Sequence, residues 1–522
     1  MIAALPESGQ PVLILTASAQ DAQRLKAELP FFRPDWRIAL LPDWETLPYD
    51  HFSPHGDLVS ERLATLWQIR NGECDVVIAP VTTALTRLSP VSFLLGRTFW
   101  LKQKQRLDVD RLRADMVTAG YQHVSQVVAP GEFSLRGGLV DLFPMGSALP
   151  YRIDLFDDEI DSLKTFDPDT QRTLYPVPEI RLLPAREYPT DEDGVTAFRQ
   201  HYREKMEGDP SKSRIYKDVS NNLWPAGIEY YLPLFFDHTA TLFDYLGDSA
   251  QLILHGNVMA AAEDFWRDAQ SRHNMAGGNP ERPVLAPAEL FLRPDELMGA
   301  IKPYARLDMS GSGDCGYLPL PELAVDRRAD NPLTRLADFS RRYSGRILIA
   351  AESLGRRETL FHFLQEHGIK AQPVDSWQAF ADGNVALGLI HAPLFNGFEL
   401  HEAGIAIVTE AELYQHIARS HGKRRKTAAN NDAMLRDLAE VKVGDPVVHV
   451  SHGIGRYMGL VSIDLGEGET EMMQLEYAEG ATLYVPVAQL QLISRYAGHA
   501  SDNVQLHRLG SPAWDKAKKK AA

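Results

Sequence analysis

The chain has 522 residues, 44% of them hydrophobic and 24% charged, with a formal net charge of −16 and a pI near 5.5. That balance excludes a protein that coats nucleic acid by bulk electrostatics, although a local basic patch can still touch DNA, and at roughly 100–200 residues per domain the length allows three to five domains. The two cysteines, Cys74 and Cys315, are too far apart in sequence to suggest a disulfide framework or a metal knuckle. The first ten residues have no cationic lead or signal-length apolar run, and no stretch approaches the ~18 apolar residues of a spanning helix, so a reducing cytoplasm is the expected setting.

In chain order, Val12 to Leu15 is a short apolar run followed by Thr16-Ala17-Ser18-Ala19 and a helical pattern through Leu25 and Leu29, which reads as strand, turn and helix. Asp75 to Pro80 reads as a second buried strand, with Thr82-Thr83 opening another helix. Continuous apolar strands alternating with helices point to a parallel α/β sheet. A nucleotide site needs G-x-x-x-x-G-K-[ST], whose amides cradle phosphates and whose lysine neutralises them, and neither Met1 to Pro11 nor any later stretch supplies it. Nor is there an acidic metal-holding partner on a strand, so the chain is expected neither to bind nor to hydrolyse ATP. Between the two strands, Leu41 to His55 is rich in proline and aromatic residues; Pro54 separates His51 from His55, no third ligand sits nearby, and no metal site is expected.

Arg136 to Thr173 carries the most specific pattern. Leu139, Val140, Leu142 and Phe143 form a strand opened by Gly137-Gly138; Pro144, Gly146 and Pro150 punctuate a turn; Tyr151, Ile153, Leu155 and Phe156 continue as a second strand. Alternation along Tyr151 to Leu155 places Arg152 and Asp154 on the face away from the apolar side chains, toward solvent or a partner. Composition alone reads Arg136 and Arg152 as solvated strand charges and Phe156 as core.

Ile180 to about Arg327 is Pro- and aromatic-rich, with Trp224 to Tyr231 its clearest turn-and-strand segment and Leu252-Ile253-Leu254 a further sheet strand. Met309 to Gly313 reads as a flexible connection. A second α/β unit begins near Asn331, with strand Arg346 to Ala350, helix Arg356 to Glu366, strand Ala386 to Ile390, and the segments Gly397 to Leu400 and Ile405 to Glu410. Arg356 and Arg357, at the helix start, read as solvated charges. Arg419 to Lys426 is a basic run of linker composition. From Val441 the pattern is β: Pro446 to Val450, Gly453 to Tyr457, Leu460 to Ile463 after a Gly-rich turn, Met472 to Tyr477 and Leu483 to Val487, a spacing that suggests a small barrel. His449 and His452 fall on a strand and its turn, and no metal is expected there. Trp514 to Lys520 has good helix formers with a cationic face, as if a helix started there.

The pattern RG…DLFP…RIDLFDDEIDSL…FDP resembles a domain shared by the excision-repair subunit UvrB and the bacterial transcription-repair coupling factors. In both families it docks the damage-recognition subunit UvrA, which implies Arg136, Arg152 and Phe156 as UvrA-binding residues. VGDPVVHVSHGIGRYMGLVSI with LYVPVAQLQLISRY is similar to the RNA-polymerase-interacting module of the coupling factors, found also in CarD-type regulators. It implies the RNA polymerase β subunit as partner and Leu460, Val461 and Ile463 as contacts, Ile463 packing inside the barrel being the other reading. The run Leu41 to His55, and the lack of room for an aromatic β-hairpin between Glu61 and Asp75, favour the coupling factor over UvrB. The alternative is a UvrB-type excision-repair helicase subunit truncated of its nucleotide loop.

The resemblance implies a multidomain α/β fold. A degenerate UvrB-like P-loop-type domain in two halves, 1–97 and 184–327, would hold an inserted β-rich UvrA-docking domain at 98–183. A second α/β domain (331–416), a linker (417–440), a small SH3/Tudor-like β-barrel for RNA polymerase (441–500) and the start of a connection to a translocase (501–522) would follow. The chain is thus expected to be the front half of a longer protein, with ATP, magnesium and most DNA contacts belonging to the translocase. No catalytic, nucleotide-binding, metal or cofactor residues are expected in these 522.

Overall fold

The computed structural model describes Ile2 and residues 10–247, 249–309, 317–326, 328–414, 444, 446–449, 453–464, 469–486 and 493–495. The glycines of the expected connection at 310–313, the expected linker at 417–440 and the stretch 501–522 lie outside these. Contacts divide the chain into two units, 1–410 and 411–522.

The first unit opens with β1 (Val12–Thr16), α1 (Ala19–Phe32), β2 (Ile38–Leu40), α2 (Gly56–Arg70) and β3 (Val76–Pro80). All residues of β1 and β3 are buried, which is why neither alternates: both faces are covered. The chain then leaves this sheet through β4 (Phe99–Lys102) and α3 (Val109–Thr118). It builds β5 (Gln122–His123), β6 (Glu132–Arg136), β7 (Leu139–Leu142), β8 (Tyr151–Phe156), β9 (Glu159–Phe166) and β10 (Thr173–Pro176). These six form one sheet in the order β10-β9-β8-β7-β6-β5. β11 (Glu179–Leu182) then pairs antiparallel with β4. After α4 (Glu192–Lys205), β12 (Gln251–His255), α5 (Val258–Ala276) and β13 (Ala305–Met309) complete a parallel sheet of order β13-β12-β1-β3-β2. β3 and β12 therefore flank β1, and everything between them in sequence is one long excursion.

The excursion is seated on α2. Gly146 has φ +77°, a Cβ there would lie 2.7 Å from that of Ala64, and its N–H donates to Ser60 Oγ at 2.7 Å, so only glycine allows so close an approach. One buried cluster runs through the contact, from Leu13 and Val77 through Leu63 to Val140 and Ile153.

Trp224 to Tyr231 does not make a strand. Gly227 takes φ +78°, and Ile228–Leu234 wind as a 3-10 helix in which all seven residues are buried. With no solvent face there is no alternation to satisfy, and Pro233 cannot donate to a ladder. The segment is held instead by aromatic packing: Tyr230 meets Trp44 edge-on at 5.6 Å and stacks on Tyr49 at 6.1 Å. Beside this cluster Arg62 and Glu187 form a fully buried ion pair, 1% and 3% exposed.

The second sheet of this unit contains β14 (Tyr317–Leu318), β15 (Arg346–Ala351), β16 (Gln372–Pro373), β17 (Leu387–His391), β18 (Phe398–Leu400) and β19 (Ile405–Thr409), in the order β14-β18-β19-β15-β17-β16. α6 (Leu354–Glu366) follows β15 and is capped by Ser353. The reading of Arg356 as a solvated charge is corrected. Its guanidinium pairs with Glu410, a carboxylate 5% exposed that also accepts the Glu352 N–H at 2.9 Å, because the end of β19 lies beside the start of α6.

In the second unit β20 (Pro446–His449), β21 (Gly453–Asp464), β22 (Glu469–Glu476), β23 (Thr482–Pro486) and β24 (Ile493–Arg495) form an antiparallel sheet, order β23-β22-β21-β20-β24. Its buried cluster includes Val447, Met473, Leu475, Tyr477 and Val485. The two strands and Gly-rich turn expected over 453–463 are one strand of 12 residues, with a register shift between Tyr457 and Gly459. Gly459, at φ +118°, absorbs a β-bulge instead of reversing the chain. No described helix is long and apolar enough to cross a membrane.

Candidate functional site

The six-stranded sheet of the excursion has one apolar and one polar face. Val140 is opposite Ile153, which is opposite Leu163, and all three are buried. One residue along, Asp141 is opposite Arg152, which is opposite Lys164, so these point to the other side. Gly137, at φ +61°, makes the two-residue turn from β6 to β7 that brings Arg136 back over the same face.

The centre of that face is a carboxylate. Asp141 has no exposed side-chain surface; it accepts from Arg152 Nε and Nη2 at 2.8 and 2.9 Å and from Arg136 Nη2 at 2.8 Å. Arg152 also donates to the Gln171 carbonyl at 3.2 Å and lies 4.7 Å from the Phe166 ring centroid, with its side chain 17% exposed. The hydrogen bonds to Asp141 raise its pKa further. Arg152 is therefore no solvated strand charge; it is anchored, whereas Arg136 keeps 52% of its side chain in solvent. Asp154 is next along the face. Partial burial pushes its pKa up, but hydrogen bonds from Ser162 (2.6 Å) and Lys164 (2.9 Å) outweigh this and hold it below the usual range.

Phe156 closes β8. The turn Phe156-Asp157-Asp158-Glu159 puts Asp157 at φ +58°, a conformation aspartate tolerates, and leaves Phe156 at the hairpin tip with 79% of its surface exposed. The core reading of Phe156 is thus overturned, because at the end of the hairpin the described residues leave most of its ring uncovered. The three predicted residues share one face, graded from the anchored Arg152 through the half-exposed Arg136 to the exposed Phe156. Sequence reasoning missed Asp141. Its signal was a lone carboxylate between Val140 and Leu142, where an apolar strand offers no other reason for a charge.

Two further places bear on function. At the end of β1, where a phosphate loop would lie, Ser18 Oγ accepts the Asp21 N–H at 3.1 Å and donates to the Asp21 carboxylate at 2.7 Å. The first turn of α1 is thus capped from within and already carries a negative charge. In the second unit Leu460, Val461 and Ile463 lie on β21 opposite Met473, Met472 and Thr470 of β22. β20 pairs with β21 only from Pro446↔Arg456 to His449↔Gly453, so among the described residues 459–464 of β21 pair with β22 alone. His55 caps α2, its Nδ1 3.3 Å from the Asp57 N–H, and no group of three or more metal-capable side chains occurs among the described residues. His452 lies outside them.

Three family models match: the UvrB interaction domain over residues 99–188, the MFD D3 domain over 339–413 and the CarD-like/TRCF RID domain over 441–497. Over 522 residues, 98% of this chain, the sequence is 42% identical to the transcription-repair-coupling factor of Escherichia coli (strain K12) and 39% identical to that of Haemophilus influenzae. The corresponding Bacillus subtilis protein is 26% identical over 549 residues. Across nearly its whole length the chain is thus similar to transcription-repair-coupling factors, with the UvrB interaction, MFD D3 and CarD-like domains in that order. It spans about half the length of the curated relatives it matches, 45% of each. Within this family frame, the UvrB interaction match runs from β4 to just beyond β11 and takes in Asp141, Arg152 and Phe156, while the CarD-like match takes in β20 to β24. A UvrB subunit would account for the first match but not for the other two.

Proposed function

We propose that this chain is the part of a coupling factor that holds stalled RNA polymerase at one end and captures UvrA at the other, so that nucleotide excision repair starts on the transcribed strand. The observation that carries the reading is the presence of a UvrB interaction domain and a CarD-like domain in one chain. The division of labour follows the sequence: a UvrB-like α/β domain of two halves (1–97 and 184–327) carrying the docking domain (98–183), a second α/β domain (331–416), and a small SH3/Tudor-like barrel (441–500) for the polymerase β subunit. UvrA meets Arg136 and Phe156, with Arg152 holding the surface in shape. The polymerase pairs along the one-sided stretch of β21 at Leu460, Val461 and Ile463, where an added strand supplies main-chain hydrogen bonds. ATP, magnesium and most DNA contacts belong to the remainder of the full-length protein; in this chain the internally capped, acidic start of α1 speaks against phosphate binding.

Co-capture tests the proposal. The purified chain should retain UvrA and RNA polymerase together, Ile463→Arg should lose the polymerase while the chain keeps its melting behaviour, and no magnesium-dependent phosphate release should exceed background. Retention of polymerase by a folded Ile463→Arg chain would move the contact elsewhere.

A further inference from the structure

Beside the Phe156 hairpin lies a cleft of about 910 Å3, walled by β4, the 105–108 segment and α3, with Asp157 and Asp158 of the hairpin on its rim. It is built as one piece with the tip. Leu107 N–H donates to the Asp158 carbonyl at 2.7 Å, and Lys104 and Ile160 are joined through backbone bonds of 2.8 and 2.9 Å to Ile160 and Gln105 carbonyls. Trp100 lines the cleft at 40% exposure and is, among the described residues, the one tryptophan so open to solvent. A large aromatic surface left in water, flanked by arginines, is the composition of interface centres and not of ordinary protein surface. Arg106 and Arg111 are those arginines: their side chains are 83% and 81% exposed and reach Asp158 and Asp115 only at 3.7 and 3.8 Å.

We propose that this cleft is a second anchoring point for the partner that docks on Phe156, and that it receives an apolar side chain flanked by a lysine or arginine. The proposal rests on the UvrA reading above. Continuity carries it: a protein seated on the hairpin tip necessarily covers the adjoining rim. The floor is apolar, with Leu107 and Leu112 buried beneath it. Charge sets the rest. Asp108, Asp115, Asp157 and Asp158 outnumber Arg106 and Arg111 at the opening, since Arg97 is already paired with Asp191, so the rim as a whole favours a cation.

Calorimetric titration of the 522-residue chain with UvrA tests it, using Phe156→Ala as reference. Trp100→Ala is expected to weaken binding ~10-fold or more. Asp158→Lys, at a side chain 58% exposed whose backbone bond to Leu107 is unaffected, should weaken it by roughly 5-fold with unchanged melting. If Trp100→Ala lowers the melting temperature, Asp158→Lys alone decides. Loss with Phe156→Ala but wild-type affinity in a folded Asp158→Lys chain overturns the cleft and leaves the docking face standing. Wild-type affinity in Phe156→Ala overturns both.

Discussion

Two arginine–carboxylate clusters in the first unit use the same chemistry to opposite ends. Around Glu187 everything is inside: Arg62 gives Nε to the carboxylate at 2.6 Å and Nη1 to the Pro42 carbonyl at 2.8 Å, Trp44 adds its indole N–H at 3.4 Å, and neither charge exceeds 3% exposure. Around Asp141 only the carboxylate is inside, and the two guanidiniums step outward to 17% and 52% exposure. A fully buried pair has no surface through which to recognise anything, so it fixes the path of the 41–49 loop against α2. A buried carboxylate holding partly exposed arginines instead fixes a rigid cationic fork at the surface.

That contrast can be broken at graded cost. Arg62→Ala should be the most damaging change, destabilising the chain by about 3–5 kcal/mol in denaturant unfolding because Glu187 stays buried without its counter-charge. Arg152→Ala should lie below it, at about 1–3 kcal/mol, since Asp141 keeps Arg136 as a partner. Phe156→Ala reverses the pattern: stability should stay within about 0.5 kcal/mol, while UvrA affinity should fall by ~2 kcal/mol. Equal stability losses for Arg62→Ala and Phe156→Ala would erase the distinction between architectural and recognition clusters.

The smallest effects are in acid, and their signs differ between the regions. The folded pKa of Asp154 is depressed, so its contribution to stability is complete above the ordinary aspartate value of about 4 and disappears as pH falls through the lower folded value. Glu229, near the aromatic cluster, has its pKa raised by burial, which its hydrogen bond from Ser53 (2.7 Å) only partly opposes. Its ionised form weakens the fold above the folded pKa, and the penalty is relieved as pH drops below it. Asp154→Asn should therefore flatten the steep acid limb of a stability–pH curve, and Glu229→Gln the shallow limb above it. The same slope change from both variants would contradict these assignments.

What the sequence determined by itself was local. The apolar runs of β1, β3 and β15 announced buried strands because nearly every residue in them is covered, Arg346 at the start of β15 alone being partly exposed. The alternation around Ile153 placed Arg152 on the polar face correctly. The family motifs lie in such local strings, which made the UvrB interaction and CarD-like domains legible. What only the tertiary structure decided was which of those residues are covered. Whether Arg152 is solvated depends on Asp141, 11 positions away on the neighbouring strand, and whether Arg356 is solvated depends on Glu410, 54 positions away. The 3-10 turn at Ile228–Leu234, the bulge at Gly459, and the exposure of Trp100 and Phe156 likewise depend on what packs against them. Periodicity is written in neighbouring residues; burial and ion pairing arise from strand register and packing between distant segments, which no local window contains.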